Sequence, residues 1–463
     1  MTRARLPICT GLFVICLMSQ ALFGQAISTS NPASTQSQPS AGAVPLTLQN
    51  TIDMALRTNL SVILSQQATA ASRGQKLRVL SQLLPNVTSG VAEHLNQENL
   101  ATFGIQVPGI PTIVGPFSFF DARLVLSQSL FDLSRIERLR AAGEDVSTAQ
   151  FNYQDARNLI VTAAASAYLR ALSDAARITA AQAQVDTARA LYNKAVDLHN
   201  AGISPAIDSV RAQVELQTRE QQLIVANNAY AKDLLSIARA IGLPLVQGQH
   251  IELTEKIPYA PLASLTLEAA IERAANTRPD LKSALSSLRS AELGRKAASA
   301  QYLPTFAADA DYGGTGLTPG SSESTFHVTG SVRMPIFQGG RIRGDVLVAD
   351  AAVQQQRAQA NDLRLQVEFE VRSAFLDLTS TAEQVRVTTS SVGLAKQALT
   401  QAQDRFASGV ADNLEVVQAQ EAYASANESY IASLYSYNLS KLGLARALGV
   451  AEMEGRKFVE GNK

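Results

Sequence analysis

The segment that begins at Leu46, LTLQNTIDMALRTN, returns at Leu265 as LTLEAAIERAANTR, 219 positions later (265 − 46). Leu84-Pro85 returns as Leu303-Pro304 at the same offset. The offset then falls to 206 between Leu130-Phe131 and Ile336-Phe337 (336 − 130), which marks a longer insertion in the first copy. AGISPAIDSVRAQ from Ala201 matches SGVADNLEVVQAQ from Ser408 at 207 (408 − 201), and the AIG ending at Gly242 matches the ALG ending at Gly449. Self-similarity on this scale constrains architecture more than any single motif. The chain reads as two copies of one unit of about 190 residues, over 46–242 and 265–449, joined by a proline-bearing segment at 243–264.

Each copy opens with a helical stretch, Leu48 to Leu83 or Leu267 to Leu303, closed by proline. The period then changes to two. Phe326, Val328, Gly330, Val332, Met334 and Ile336 alternate with Thr325, His327, Thr329, Ser331 and Arg333. Phe306, Ala308, Ala310 and Tyr312 alternate with Asp309 and Asp311. In the first copy Phe120, Ala122, Leu124, Leu126 and Leu130 alternate with Asp121, Arg123, Ser127 and Ser129, and Val87 to His94 is a weaker version. Each copy therefore supplies two strands with one apolar and one polar face. Glycine-, proline- and serine-rich loops separate them.

A proline-free segment follows, about Arg135 to Asn200 and Arg341 to Ala407, rich in Ala, Gln, Leu and Arg. Roughly 66 helical residues would reach roughly 100 Å. Gly202 and Gly409 end these segments and a second helix returns. In the second copy Val416, Tyr423, Tyr430, Tyr437 and Leu444 recur every seven residues, with Ala419, Ala426, Ser433, Ser440 and Ala447 behind them. Such rows pack as a coiled coil. A ligand-stacking role for the tyrosines is the sharper alternative; core packing is the expected one.

Residues 1–26 read as a signal peptide: Arg3 and Arg5, an apolar run from Leu6 to Met18, then Gly24 and Ala26 placed for cleavage. Cys9 and Cys16 are the chain's two cysteines and both fall in this segment. Cys16 sits inside the run after Phe13-Val14-Ile15, so lipidation is not expected. Residues 27–45 read as a disordered linker and 450–463 as a short tail. No later run is apolar enough for a membrane helix.

Lys and Arg number 40 against 40 Asp and Glu, so no basic surplus exists to hold nucleic acid. Neither H-E-x-x-H, G-x-S-x-G nor a phosphate-binding loop is present, and the four histidines are isolated from one another. No catalytic, metal or cofactor site is expected.

Four strands with one oily face cannot close a barrel, for which about eight is the lower limit. Three chains would supply twelve and remove the open edges. The expected fold is thus a mixed α and β membrane protein: a trimeric 12-stranded β-barrel, four strands per chain, continued by a long α-helical coiled-coil barrel.

LTLQNTIDMAL with its repeat, the PIFQGGRIR junction at Pro335 to Arg343, and the Gly409 tip followed by Leu414, Val417 and Ala419-Gln420 together resemble the TolC-like outer membrane efflux proteins over about Leu46 to Gly449. The resemblance implies an outer membrane channel-tunnel that conducts passively, as a homotrimer in outer membrane lipid. It also implies a periplasmic adaptor, linked to an inner-membrane pump, that meets the tip residues Gly202, Ile203, Ser204, Gly409, Val410 and Ala411. Many relatives that serve multidrug pumps are lipoproteins, a pattern from which this chain departs. Carried over position by position, an acidic gate ring falls on Asp208 and Glu415; Arg211 and Gln418 stand where some relatives have a second acidic residue. A structural alternative for Asp208 and Glu415 is simple stabilisation of a helix N-terminus. Asp121, Arg123, Asp309, Asp311, His327 and Arg333 are the expected lumen residues. An adaptor with one hairpin, or an exported coiled-coil scaffold without channel activity, are the competing readings.

Overall fold

The structure, a computed structural model, describes residues 44–461 apart from 105–107, 110, 244–250, 256, 262–264, 409 and 411–412. The expected signal peptide, most of the linker and the tip residues Gly409 and Ala411 lie outside the described residues.

The chain enters through strand β1 (Val44–Leu46), which pairs in parallel with β4 (Ile251–Leu253) from the middle of the sequence. Residues 44 and 45 are therefore strand rather than disordered linker, because β4 offers their backbone a partner. Thr47 then caps helix α1 (Leu48–Thr58) by accepting from the Asn50 amide, and Thr266 caps α5 (Leu267–Thr277) by accepting from Ala269.

The single helix expected from Leu48 to Leu83 is two. Asn59 leaves helical geometry (φ −69°, ψ 129°) and its side chain caps α2 (Leu60–Ser81) through the Ser61 amide. In the second copy Arg278 is the break, held out of the α region by Pro279, the first residue of α6 (Pro279–Ala300).

Strands β2 (Asn86–Asn99), β3 (Ile113–Phe131), β5 (Thr305–Gly316) and β6 (Glu323–Arg333) form one antiparallel sheet in the order β2-β3-β5-β6. Directly opposed residues share a face. Leu124 lies opposite Tyr312, and Tyr312 opposite Phe326; Leu126, Ala310 and Val328 form the next apolar row. Two details differ from the sequence pattern. A bulge between Ser129 and Phe131 brings Phe131, not Leu130, opposite Phe306, with ring centroids 6.2 Å apart. β6 stops at Arg333 rather than Ile336, because its partner begins at Thr305 and Pro335 has no amide hydrogen to offer. Val328, Val332 and Phe326 are exposed, so the sheet's apolar face packs on nothing among the described residues.

From the sheet the chain passes into α3 (Leu133–Asn200) and returns in α4 (Ala206–Ala240); the second copy does the same in α7 (Arg341–Ala407) and α8 (Asn413–Ala447). At 1.5 Å per residue α3, of 68 residues, extends roughly 100 Å. The core is a belt near the midpoints of the long helices. Val161, Ala165, Tyr168 and Leu169 of α3 pack with Ile52 of α1, Ile237 of α4 and Leu442 of α8. Val367 and Val371 of α7 pack with Ala270 and Ala274 of α5 and with Tyr437 and Leu444 of α8. Tyr430 packs against the second of these clusters, and Tyr423 against a third, formed by Leu191 of α3, Leu399 and Ala402 of α7 and Val416 of α8, so the tyrosines are packing residues. The C-terminal segment read as a tail is helix α9 (Ala451–Glu460), whose Ala451 and Val459 enter the belt.

Candidate functional site

Register places Asp121, Arg123, Asp309, Asp311, His327 and Arg333 on the sheet face opposite the apolar one. Asp311 opposes His327, Asp309 opposes Thr329, and Arg333 opposes Thr305. Arg123 bridges strands: its Nε donates to Asp121 at 2.7 Å and its Nη1 to Asp311 at 2.9 Å. His327 Nδ1 lies 3.2 Å from the same Asp311 oxygen. Gly313, directly opposite Arg123, makes room for this side chain; a Cβ there would collide with Arg123 and with the Ala122 carbonyl. The sequence alone does not mark Gly313, since only the pairing register brings it beside Arg123.

The turn after α3 is a Schellman motif. Gly202 (φ +71°) donates to the His199 carbonyl at 2.9 Å, and Ile203 donates to Leu198 at 2.9 Å. His199 Nδ1 lies 3.1 Å from the Ser204 carbonyl and steadies the turn. The end of α7 repeats the longer bond, Val410 to the Arg405 carbonyl at 2.9 Å. Ile203 is 73% exposed and Val410 71%. Each tip thus pushes an apolar side chain into solvent at the far end of a long hairpin.

Asp208 and Glu415 are each the third residue of the returning helix, α4 or α8. Both sit in the first turn, where the helix dipole favours negative charge. Each also faces an arginine: Arg211 stands 3.8 Å from Asp208, and Arg405 of α7 stands 3.3 Å from Glu415. Reading the sequence missed Arg405, although its place in the last turn of α7, across the tip from Glu415, is a usable signal.

Among the described residues no group of three or more His, Cys, Asp or Glu side chains is placed to hold a metal ion, and no helix is long and apolar enough to cross a membrane.

The outer membrane efflux protein family matches residues 51–243 and 270–450. The alkaline protease secretion protein AprF of Pseudomonas aeruginosa is 22% identical over 353 residues, 75% of this chain and 73% of that protein. The outer membrane protein TolC of Escherichia coli is 21% identical over 340 residues, 71% of this chain and 69% of that one. The fold is that of the outer membrane protein VceC of Vibrio cholerae, with a TM-score of 0.73 at 19% identity over 87% of this chain and 96% of VceC. Matched over both halves, the chain belongs to the outer membrane efflux protein family and acts in the outer membrane as the channel of an efflux or secretion system.

Proposed function

We propose that three copies close their sheets into one twelve-stranded barrel, and that the long hairpins continue it as a tunnel through the periplasm. The observation that carries this reading is the four-stranded sheet with two open edges, β2 and β6, and an unpacked apolar face. β2 and β6 run in opposite directions, so β6 of one copy can pair antiparallel with β2 of the next. A closed ring of this kind leaves no edge in lipid, as a membrane requires. From Phe306 to the Phe120–Gly316 row the apolar face spans ten residue steps (316 − 306). That is roughly 34 Å of strand and about 25 Å of height at a tilt of about 40°, the height of a barrel's apolar band.

Under this reading Leu124, Val328 and Val332 face lipid, while Asp121, Arg123, Asp309, Asp311, His327 and Arg333 line the lumen. Gly202, Ile203, Ser204, Gly409, Val410 and Ala411 are presented to a periplasmic adaptor that joins an inner-membrane pump. Asp208 and Glu415, three of each, ring the narrow end. Residues 46–242 and 265–449 are the two repeats, 243–264 the segment that ties them at the core belt, and 1–26 a removed signal peptide. The channel conducts passively; the pump supplies the energy.

Fractionation tests this directly. Heat-modifiable trimers in the outer membrane that form conducting pores in planar bilayers support the channel. A monomer in the soluble periplasmic fraction would support the scaffold reading instead.

A further inference from the structure

We propose that Asp121, Arg123, Asp311 and His327 form a proton-responsive selectivity tier inside the barrel, preferring cations while His327 is neutral. The inference rests on the reading that this face lines a lumen.

The four side chains come from three adjacent strands and form one connected group. Arg123 is shared between Asp121 and Asp311, so one positive charge answers two negative ones. Each chain is left with one excess negative charge at this height. His327 is bound to the same Asp311 oxygen, and its side chain is 69% exposed on the polar side. A proton can therefore reach it from the lumen, and the group's net charge would then be zero. Three copies would change the tier from three excess negative charges to none. Rings of charged side chains in a confined pore govern which ions pass, and low-dielectric walls magnify each charge.

The other charged groups facing His327 do not mimic this change. On β5 Asp309 lies one row nearer the periplasmic end, and on β6 Arg333 lies three rows nearer, with opposite signs. Glu323 lies on the same face of β6 at its outer end. Arginine and carboxylate side chains ordinarily keep their charge between pH 5 and 8, and histidine is the side chain that ordinarily changes there. On β2 the polar face carries His94, whose ring stacks on Phe119 with centroids 4.6 Å apart. It makes a control.

The test uses the assembled trimer in planar bilayers under a salt gradient, at about pH 8 and about pH 5. The wild-type reversal potential should move from cation preference towards zero on acidification. His327→Gln should remove that movement and hold cation preference at both values. His94→Gln should keep most of the movement, and Asp311→Asn should shift the potential towards anions at both pH values. A His327→Gln trimer that responds like wild type overturns the proposal, as does loss of the response in His94→Gln alone. Labelling with a membrane-impermeant thiol reagent separates this from failure of the lumen reading. Thr329→Cys should react and Val328→Cys should not. If Thr329→Cys is unreactive in an assembled trimer, the face assignment falls and the tier falls with it. If Thr329→Cys reacts while His327→Gln keeps the response, the lumen stands and only the tier is wrong.

Discussion

Lys441 of α8 carries its ammonium into the belt core and donates to the carbonyl of Val459 in α9 at 2.9 Å. A second bond runs to the Ala260 carbonyl at 3.0 Å, in the segment between the repeats, and the Tyr437 ring lies 4.8 Å away. One buried cation thus ties the C-terminal helix and the connecting segment to the second hairpin. Carbonyl dipoles solvate it in place of water.

Burial pushes the Lys441 ammonium down to about pKa 8, from the ordinary lysine value of ~10.4. Below pH 8 folded and unfolded chains both hold the proton, and the folded state carries the whole burial penalty. As pH rises from about 8 to ~10.4 the folded chain releases it first, so stability should increase through that window. Lys441→Met has no proton to lose there. The stability difference between wild type and this variant should move in favour of wild type by at most about 3 kcal/mol across the window. Parallel thermal-melting curves for the two proteins would show that Lys441 is not the titrating group.

The two faces of the sheet should tolerate charge unequally. Lysine or arginine at Leu124 or Val328, in the middle rows of the apolar band, should destabilise by ~2–4 kcal/mol, and at Val332, in its end row opposite Phe306, by less, whereas the same change at Thr329 should cost little. Arg123 and Arg333 already place cations on the tolerant face. Trimer yield in outer membranes and resistance to heat dissociation read the outcome. Equal tolerance would mean the sheet is not a membrane wall.

Much of this sheet was legible because strand side chains alternate with period two, so polar and apolar faces can be read without knowing any partner. The helix breaks were less so: Asn59 lies in continuous helical pattern and declares itself only by capping α2, and the stretch expected from Leu267 to Leu303 runs through Pro279, although that proline's restriction on Arg278 is a usable signal of the break. Cross-strand chemistry was not legible. Arg123 and Asp311 are 188 positions apart, and the register that joins them is set by pairing, bulge and loop length together. The buried Lys441 was hidden for a similar reason, since its solvating carbonyls come from Ala260 and Val459, outside its own helix.

Gly313 offers a sharper check on that register. Gly313→Val would force a side chain into the space taken by Arg123 and against the Ala122 carbonyl. The β3–β5 pairing should open locally, and trimers should dissociate at lower temperature than wild type. Gly320, between the strands and with open space around it, is the control, and Gly320→Ala should leave the trimer unchanged.

At the tips, Gly202 adopts a conformation that L side chains resist, and Ile203 stands beyond it in solvent. Bulky or charged substitutions at Ile203, Ser204 or Val410 should abolish efflux in cells while leaving trimer assembly intact. Drug-susceptibility assays with trimer immunoblots separate the two effects. Loss of the trimer itself would make these turns structural only.

The gate prediction depends on charge already partly answered. Asp208 and Glu415 occupy equivalent third positions of α4 and α8, and three-fold symmetry would gather each set towards one axis. Arg211 and Arg405 stand beside them at 3.8 and 3.3 Å, so each carboxylate is screened before any ion arrives. Cation preference at this end should therefore be moderate rather than absolute. Asp208→Asn with Glu415→Gln removes the negative charges, leaves the arginines, and hardly changes side-chain size. The double variant should lower cation preference without removing the part set inside the barrel, relieve any block by multivalent cations, and keep nearly the same conductance. Arg211→Gln with Arg405→Gln should act in the opposite sense and strengthen cation preference. Reversal potentials for both variants that match wild type would leave the two carboxylates with the helix-dipole role alone.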